Sequence, residues 1–265
     1  MVKKNPLKPL AFLTSSKLFS FKVLGGLLVL SVAGYVLTQS VLLAFASFAL
    51  IVLLFFSDFS LDKTWKQNLL ELFYALVFAI AAWFALGFVL QTDSPMNVVT
   101  SCSMLPNLQR GDLVFIRGGV ENVPSLNASF SDLGSVQVHK SVCFAGTQPW
   151  PCTDYAIVAN QTVFENRSND IIVFDPKPTG PGLLIHMAFA KINTEDGAFF
   201  LTKGDNNPVL DQENHRFYFV SEKDVKGRVF LTIPFVGYLK LLLFLQFEVP
   251  AGCDSVLEKA EPPSQ

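Results

Sequence analysis

Residues Thr100–Phe115 read TSCSMLPNLQRGDLVF, and the chain changes character across them. Before this stretch, apolar residues run on for helical lengths. After it come short runs rich in Val, Ile and Phe, separated by Gly, Pro, Asn and Asp, and such runs read as strands. The stretch also carries Ser101, Cys102 and Ser103 side by side, three candidate nucleophiles.

Upstream, the composition is that of a membrane-anchored chain. Of 265 residues, 51% are hydrophobic, 26 are Phe and only 16% are charged, against about 25% charged in ordinary globular chains. The apolar excess lies before residue 93. The first 22 residues hold five lysines and no acidic residue, and Val23–Ser57 is then a run of 35 residues without a charge. One span needs about 20, so this run reads as a transmembrane helical hairpin turning near Thr38-Gln39-Ser40. A charged loop, 58–68, follows with Lys63 and Lys66, and a third transmembrane helix is expected over 69–92. Lysine-rich segments stay in the cytoplasm, which puts 1–22 and 58–68 inside and everything after Asp93 outside. A cleaved signal peptide would have a shorter apolar core and a small-residue cleavage site.

The second half carries marks of an external domain. Asn127, Asn160 and Asn166 open three N-x-[ST] glycosylation acceptors, all beyond the last apolar run. Cys143 and Cys152, in CFAGTQPWPC, are a candidate disulfide, with two free thiols the alternative; Cys253 has no evident partner. The net charge of -2 gives no sign of a nucleic-acid partner.

Candidate strands are Asp112–Arg117, Tyr155–Phe164, Asp170–Phe174, Leu183–Ile192, Ala198–Lys203, Arg216–Val220 and Val225–Ile233. No long helical period occurs between 100 and 230, so residues 93–249 are expected to form a mainly β domain. Residues 118–169, with their sequons and turn-rich pieces, read as an insertion remote from any chemistry. Val229–Val249 is long enough to span a membrane, but Pro234, Gly237 and Lys240 interrupt it. It reads as a strand end followed by a helix lying on the membrane surface. Residues 250–265 read as a disordered tail.

Outside the apolar segments, the residues able to do chemistry are Ser101-Cys102-Ser103, His186 in LLIHMAFA, Asp205 in LTKGDNN, and Asp211. A serine hydroxyl attacks only when a base takes its proton, and the base works best when a carboxylate fixes its tautomer. His139 and His215 sit in polar surroundings, which leaves His186 as the candidate base. Cys102 has no local partner that would hold it as a thiolate. The histidines and cysteines show no ligand spacing, so neither a metal nor a cofactor is expected.

Taken in order, these fragments resemble type I signal peptidases, the membrane-bound serine proteases that remove signal peptides from exported proteins. SCSMLPNL is similar to the family's S-x-S-M-x-P-[ST]-L box, RGDLVFIR and NDIIVF to the strand segments that follow, and VKGRVFLTIPFVGYLK to the final one. Leu184-Ile185-His186 and Thr202–Asn207, TKGDNN, resemble the archaeal and endoplasmic-reticulum branch, which uses histidine where bacterial enzymes use lysine. The resemblance covers somewhat less than half the chain. It implies Ser103 as nucleophile, His186 as general base, and Asp211 or Asp205 as its orienting carboxylate, with Asp211 favoured. It also implies an oxyanion hole from the Ser103 N–H and the Ser101 hydroxyl. Cys102, Asn107 and Met187 depart from the family's usual Gly, Ser or Thr, and Arg. The expected protein is a multi-pass serine endopeptidase of the cell or endoplasmic-reticulum membrane. Its partners would be the lipid bilayer and the signal peptides of preproteins, and accessory subunits are not identified. Two alternatives share the sequence features: a membrane serine protease with other exported substrates, and a non-catalytic membrane-anchored binding protein.

Overall fold

The computed structural model describes residues 21–57, 64–176, 182–213 and 219–259. The basic segment 1–20, residues 58–63 of the charged loop, His215, most of the strand expected at Arg216–Val220 and residues 260–265 lie outside the described residues. The chain divides into two units, Met1–Val77 and Phe78–Gln265.

The first unit contains helices α1 (Phe21–Thr38) and α2 (Val41–Ser57). Their break falls at Gln39, whose φ of 48° ends α1. The two helices face each other through small residues: Ser31 Oγ lies 2.9 Å from Ser47 Oγ, and a Cβ on Gly34 would stand 3.1 Å from Leu43 Cδ1. Close approach of this kind suits apolar helices that have only packing and polar contacts to hold them together.

Helix α3 (Trp65–Leu90) straddles the two units. Among the described residues it is the one helix long and apolar enough to cross a membrane. It begins four residues before the expected position because the Gln67 side chain accepts from the Thr64 N–H at 3.0 Å, the reciprocal half of a capping box. Its polar first turn therefore belongs to the helix and not to the loop.

The second unit is mainly β. One sheet has the order β1 (Met96–Val98), β2 (Leu113–Arg117), β11 (Val225–Ile233), β7 (Ile171–Phe174), β8 (Leu184–Thr194), β9 (Gly197–Lys203), β10 (Val220–Ser221), and β3 (Ser125–Asn127) pairs in parallel with the far end of β8. Strand β8 is central, and Ile185–Ala190 is buried throughout. Burial on both faces explains why LIHMAFA reads as a continuous apolar run without alternation. The end of α3 is fastened to this sheet, with Gly118 N donating to Leu90 O at 2.8 Å and Thr92 Oγ1 to Lys226 O at 2.7 Å.

Three sequence expectations are corrected here. The insertion 118–169 is no loose excursion: it builds most of a second sheet, β12 (Leu257–Lys259), β4 (Gln137–Ala145), β5 (Gln148–Val158), β6 (Gln161–Phe164). Ala156, Val158 and Val163 of this sheet share one core with Val114, Met187, Phe189 and Leu201 of the first. Pro149 and Pro151 lie within β5, although proline cannot donate to a sheet ladder. They are accommodated because β6 pairs only with Tyr155–Val158, leaving one side of β5 open at the prolines. Second, residues 250–259 are not a disordered tail, since they end in β12, paired with β4. Third, Cys253 is bonded to Cys102, while Cys143 is bonded to Cys152.

Of the ambiguous stretch, Val229–Ile233 lies in β11 and Tyr238–Leu243 forms the short helix α4. At its end Leu242 and Leu243 are exposed, and after it so are Phe244, Leu245, Phe247 and Val249.

Candidate active site

Ser103 sits in the loop from β1 to β2, fixed from both sides. Its carbonyl accepts from Asn206 N at 2.7 Å, and Leu108 N donates to Met104 O at 2.9 Å to close the following turn. Gly204 is required beneath it: a Cβ there would stand 2.7 Å from the Ser103 carbonyl oxygen. This contact gives a physical reason for the Gly of the TKGDNN box.

His186 is the third residue of β8, 5% exposed, and pairs with Ile172 of β7; the pairing of β8 with β9 begins at the next residue, Met187. Its Nε2 lies 3.0 Å from Ser103 Oγ and its Nδ1 lies 2.6 Å from Asp211 Oδ2. Asp211 stands just past β9, with its backbone N–H donating to Thr202 O at 2.9 Å. The Thr202 hydroxyl donates to Asp211 Oδ2 at 2.7 Å, and Gln212 Nε2 donates to the Thr202 hydroxyl at 3.2 Å. The carboxylate is thus oriented from behind while it faces the imidazole.

Asp205 stands apart from this series. Its Oδ2 accepts from Asn107 Nδ2 at 2.7 Å, which couples the GDNN turn to the loop that carries Ser103. Its Oδ1 is buried with no hydrogen-bond partner among the described residues. Burial raises the Asp205 carboxyl above the usual aspartate range, against the lowering influence of Asn107, Lys203 and Arg167. Behind it, Lys203 Nζ pairs with Glu165 at 2.8 Å, both side chains being 3% exposed. Burial disfavours the Glu165 charge, but Lys203 and Lys259 overcome this and hold its carboxyl below the ordinary range.

Lys203 is paired with Glu165, and Lys191 with Glu222 at 2.6 Å. Ser101 Oγ lies 3.1 Å from Ser103 Oγ. A cavity of about 40 Å³ opens beside Ser103 and His186, lined in part by Val98, Thr100, Met104, Leu184 and Ile185. His139 stacks on Tyr155 in the second sheet, away from this site. Asn127, Asn160 and Asn166 are exposed. Among the described residues, no cluster of His, Cys, Asp and Glu could hold a metal.

Sequence reasoning missed Thr202, Gln212, Asn107 and Glu165. Thr202 and Asn107 lay inside the quoted boxes, so a search for polar residues there would have found them. Glu165 gave no local signal, because it follows β6 of the second sheet and its partner Lys203 ends β9 of the first.

The chain is similar to several known proteins. The chain is 30% identical over 188 residues to an uncharacterized protein of Methanocaldococcus jannaschii, covering 57% of this chain and 84% of that one. It is 28% identical over 179 residues to the signal peptidase complex catalytic subunit SEC11 of Clavispora lusitaniae, covering 66% of this chain and 81% of that one. With the SEC11 of Colletotrichum graminicola it shares 29% identity over 181 residues, covering 67% and 80%. The chain belongs to the signal peptidase I-like proteins of the archaeal and endoplasmic-reticulum type. No protein-family model matches it. The departures of this signal peptidase I-like chain from the family boxes have local partners: Cys102 is bonded to Cys253, Asn107 holds Asp205, and Met187 is fully buried in the core.

Proposed function

We propose that this chain is a membrane-bound serine endopeptidase that removes N-terminal signal peptides from exported preproteins. The hydrogen-bonded series Ser103, His186, Asp211 carries the reading. Ser103 Oγ attacks the scissile carbonyl carbon as His186 Nε2 takes its proton. His186 then returns that proton to the leaving amine, and water repeats the sequence to release the acyl group. Asp211 keeps the proton of neutral His186 on Nδ1 and stabilises the imidazolium that forms. The oxyanion is received by the Ser103 N–H and the Ser101 hydroxyl; losing one such donor costs about 3–4 kcal/mol of barrier lowering.

The substrate class follows from depth and size. Helix α3 has 26 residues, about 39 Å at 1.5 Å per residue, enough for a hydrocarbon core of about 30 Å. From Thr92 to Ser103 the chain reaches at most roughly 36 Å, so the nucleophile is tethered close to the outer face of the bilayer. A signal peptide has its cleavage site just beyond its apolar core, next to small residues. The cavity of about 40 Å³ beside Ser103 suits such small side chains. The α1–α2 hairpin as two further crossings and the exposed apolar residues Leu242–Val249 as a surface resting on lipid complete the multi-pass topology, with the catalytic domain outside the cytoplasm.

The test is cleavage of a preprotein by the full chain in detergent, with the product N-terminus sequenced. Wild type should cut after a small residue, and Ser103→Ala should not cut while retaining the same melting temperature. Normal activity in Ser103→Ala ends the reading. A wild-type protein that neither cuts nor takes up a serine-acylating probe would be the non-catalytic binding protein instead.

A further inference from the structure

Cys102 lies between Ser101 and Ser103 and is bonded to Cys253 across 151 residues of sequence. The same segment is held a second time by Asn206. Its Nδ2 lies 3.2 Å from the Cys102 carbonyl oxygen, 2.9 Å from that of Gly252 and 3.0 Å from that of Ser255. Two amide hydrogens serve these three acceptors. Its Oδ1 accepts from Leu257 N at 2.8 Å, and its own backbone N–H donates to Ser103 O at 2.7 Å. Asn206 is therefore a junction between the Ser103 loop, the GDNN turn and residues 250–257. Beyond the junction, β12 pairs with β4, and Lys259 Nζ lies 2.8 Å from Asp154 and 3.0 Å from Glu165.

Segment 250–259 is thus held by β4 and by Asn206, and it is joined to Cys102, the neighbour of Ser103, directly by the disulfide and indirectly through Asn206. A loop that must hold Ser103 Oγ 3.0 Å from His186 Nε2 gains from such fastening, because a reacting atom displaced by about 1 Å costs on the order of 100-fold in rate. The bond is also open to attack: Cys102 is 5% exposed, but Cys253 is half-buried.

We propose that residues 250–259 are a positioning strap for Ser103, and that the Cys102–Cys253 bond makes the nucleophile's geometry depend on the thiol–disulfide state. The dependence on activity rests on the serine-peptidase reading. The strap itself does not. A small dithiol opens the bond in two steps. One of its thiolates attacks Cys253 Sγ, and Cys102 leaves as a thiolate that takes up a proton. The second thiol of the reagent then closes on the mixed disulfide and releases Cys253 as a thiol. Two cysteines are reduced and the dithiol is oxidised to its cyclic disulfide. Cys102 and Cys253 act here as positioning residues, through the loop that holds Ser103.

The test uses the full chain in detergent, in wild type, in Cys143→Ser/Cys152→Ser, which keeps only the strap bond, and in Cys253→Ser. Amide hydrogen exchange over residues 99–106 and the rate of Ser103 acylation by a serine-reactive probe are measured with and without dithiothreitol, below the melting transition. Opening the strap bond should raise exchange at 100–104 while β8 stays protected. It should also slow acylation by ten-fold or more, in wild type and in Cys143→Ser/Cys152→Ser alike. Cys253→Ser should show the slow, fast-exchanging state from the start and no further response. Unchanged exchange over 100–104 after the bond is opened, or a response that follows Cys143–Cys152, overturns the proposal. Absence of acylation in the oxidised wild type would count against the peptidase reading, and the exchange result would still decide the strap.

Discussion

Asp211→Asn tests Asp211 against Asp205 as the proposed orienting carboxylate, with a magnitude that the site's hydrogen bonds set. Asp211 Oδ2 meets His186 Nδ1 at 2.6 Å and receives the Thr202 hydroxyl at 2.7 Å. The Thr202 oxygen already accepts from Gln212 Nε2 at 3.2 Å, so its hydrogen is directed at the carboxylate. An asparagine there should put its carbonyl oxygen in the Oδ2 position, where both donors need an acceptor. The histidine then keeps its proton on Nδ1, and what is lost is the charge facing the imidazolium. At about 4 Å between charge centres and an effective dielectric near 20, that interaction is about 4 kcal/mol, or roughly 1,000-fold in rate. The opposite amide orientation would force the proton onto Nε2, with a loss nearer 10⁴-fold. Turnover of a preprotein at saturating concentration should therefore fall about 1,000-fold in Asp211→Asn with KM little changed. An Asp211→Asn enzyme within ten-fold of wild type, beside an Asp205→Asn enzyme that loses 1,000-fold, would refute the assignment and make Asp205 the orienting group.

Gly204→Ala should lose cleavage out of proportion to stability, about 100-fold or more in turnover, because the added Cβ meets the Ser103 carbonyl oxygen at 2.7 Å; parallel melting curves and rates check this, and full activity would mean that the turn yields without moving Ser103. Glu165→Ala should cost about 3–5 kcal/mol in denaturant unfolding by leaving Lys203 buried without its partner, and Lys259→Ala should cost much less. Asp205 gives a pH signature. Its carboxyl is raised by burial, so the folded state binds its proton more tightly than the unfolded one. Its favourable contribution is complete below the ordinary value of 3.8 and is lost as pH rises through the raised one. Glu165, held below its ordinary value of 4.5, contributes above that value and loses its contribution as pH falls. Asp205→Asn should accordingly gain in melting temperature relative to wild type between pH 4 and pH 7, and a difference constant across that range would remove the burial argument.

The parts of this fold that could be read from the sequence are those in which one local pattern decides the structure. LIHMAFA is apolar in succession, His186 aside, because β8 is covered on both faces, and Ser103 and His186 belong to boxes, with Asp211 following the last, whose order is visible in the chain. The break at Gln39 follows from an uncharged run too long for one crossing. What could not be read is everything set by distant pairing. Strand β4, QVHKSVCFA, presents an irregular mix of polar and apolar residues because it lies at the surface between two neighbours, one of them from the other end of the chain. Its partner β5 contains two prolines that count against a strand until the open edge beside them is seen. Without β4 in view the tail shows no template: β12 is three residues long and is received by β4 and Asn206.

The same dependence explains why Cys102 has no visible partner in its own stretch of sequence. A cysteine between two serines invites a reading in terms of its own reactivity, yet its sulfur is consumed by a bond to a residue 151 positions away. Its side chain contributes through what it fastens. Ser103 reaches His186 from a loop, and a loop holds a hydroxyl to within a few tenths of an ångström only when its backbone is restrained from several directions. Here the restraints are the Asn206 N–H on the Ser103 carbonyl, Asn107 on Asp205, Gly204 packed against the turn, and the bond from Cys102 to residues 250–259. Three of these four involve the GDNN turn. That makes the box a support for Ser103, the proposed nucleophile, which is why substitutions at Gly204 and Asn107 should lower turnover without touching any group that transfers a proton.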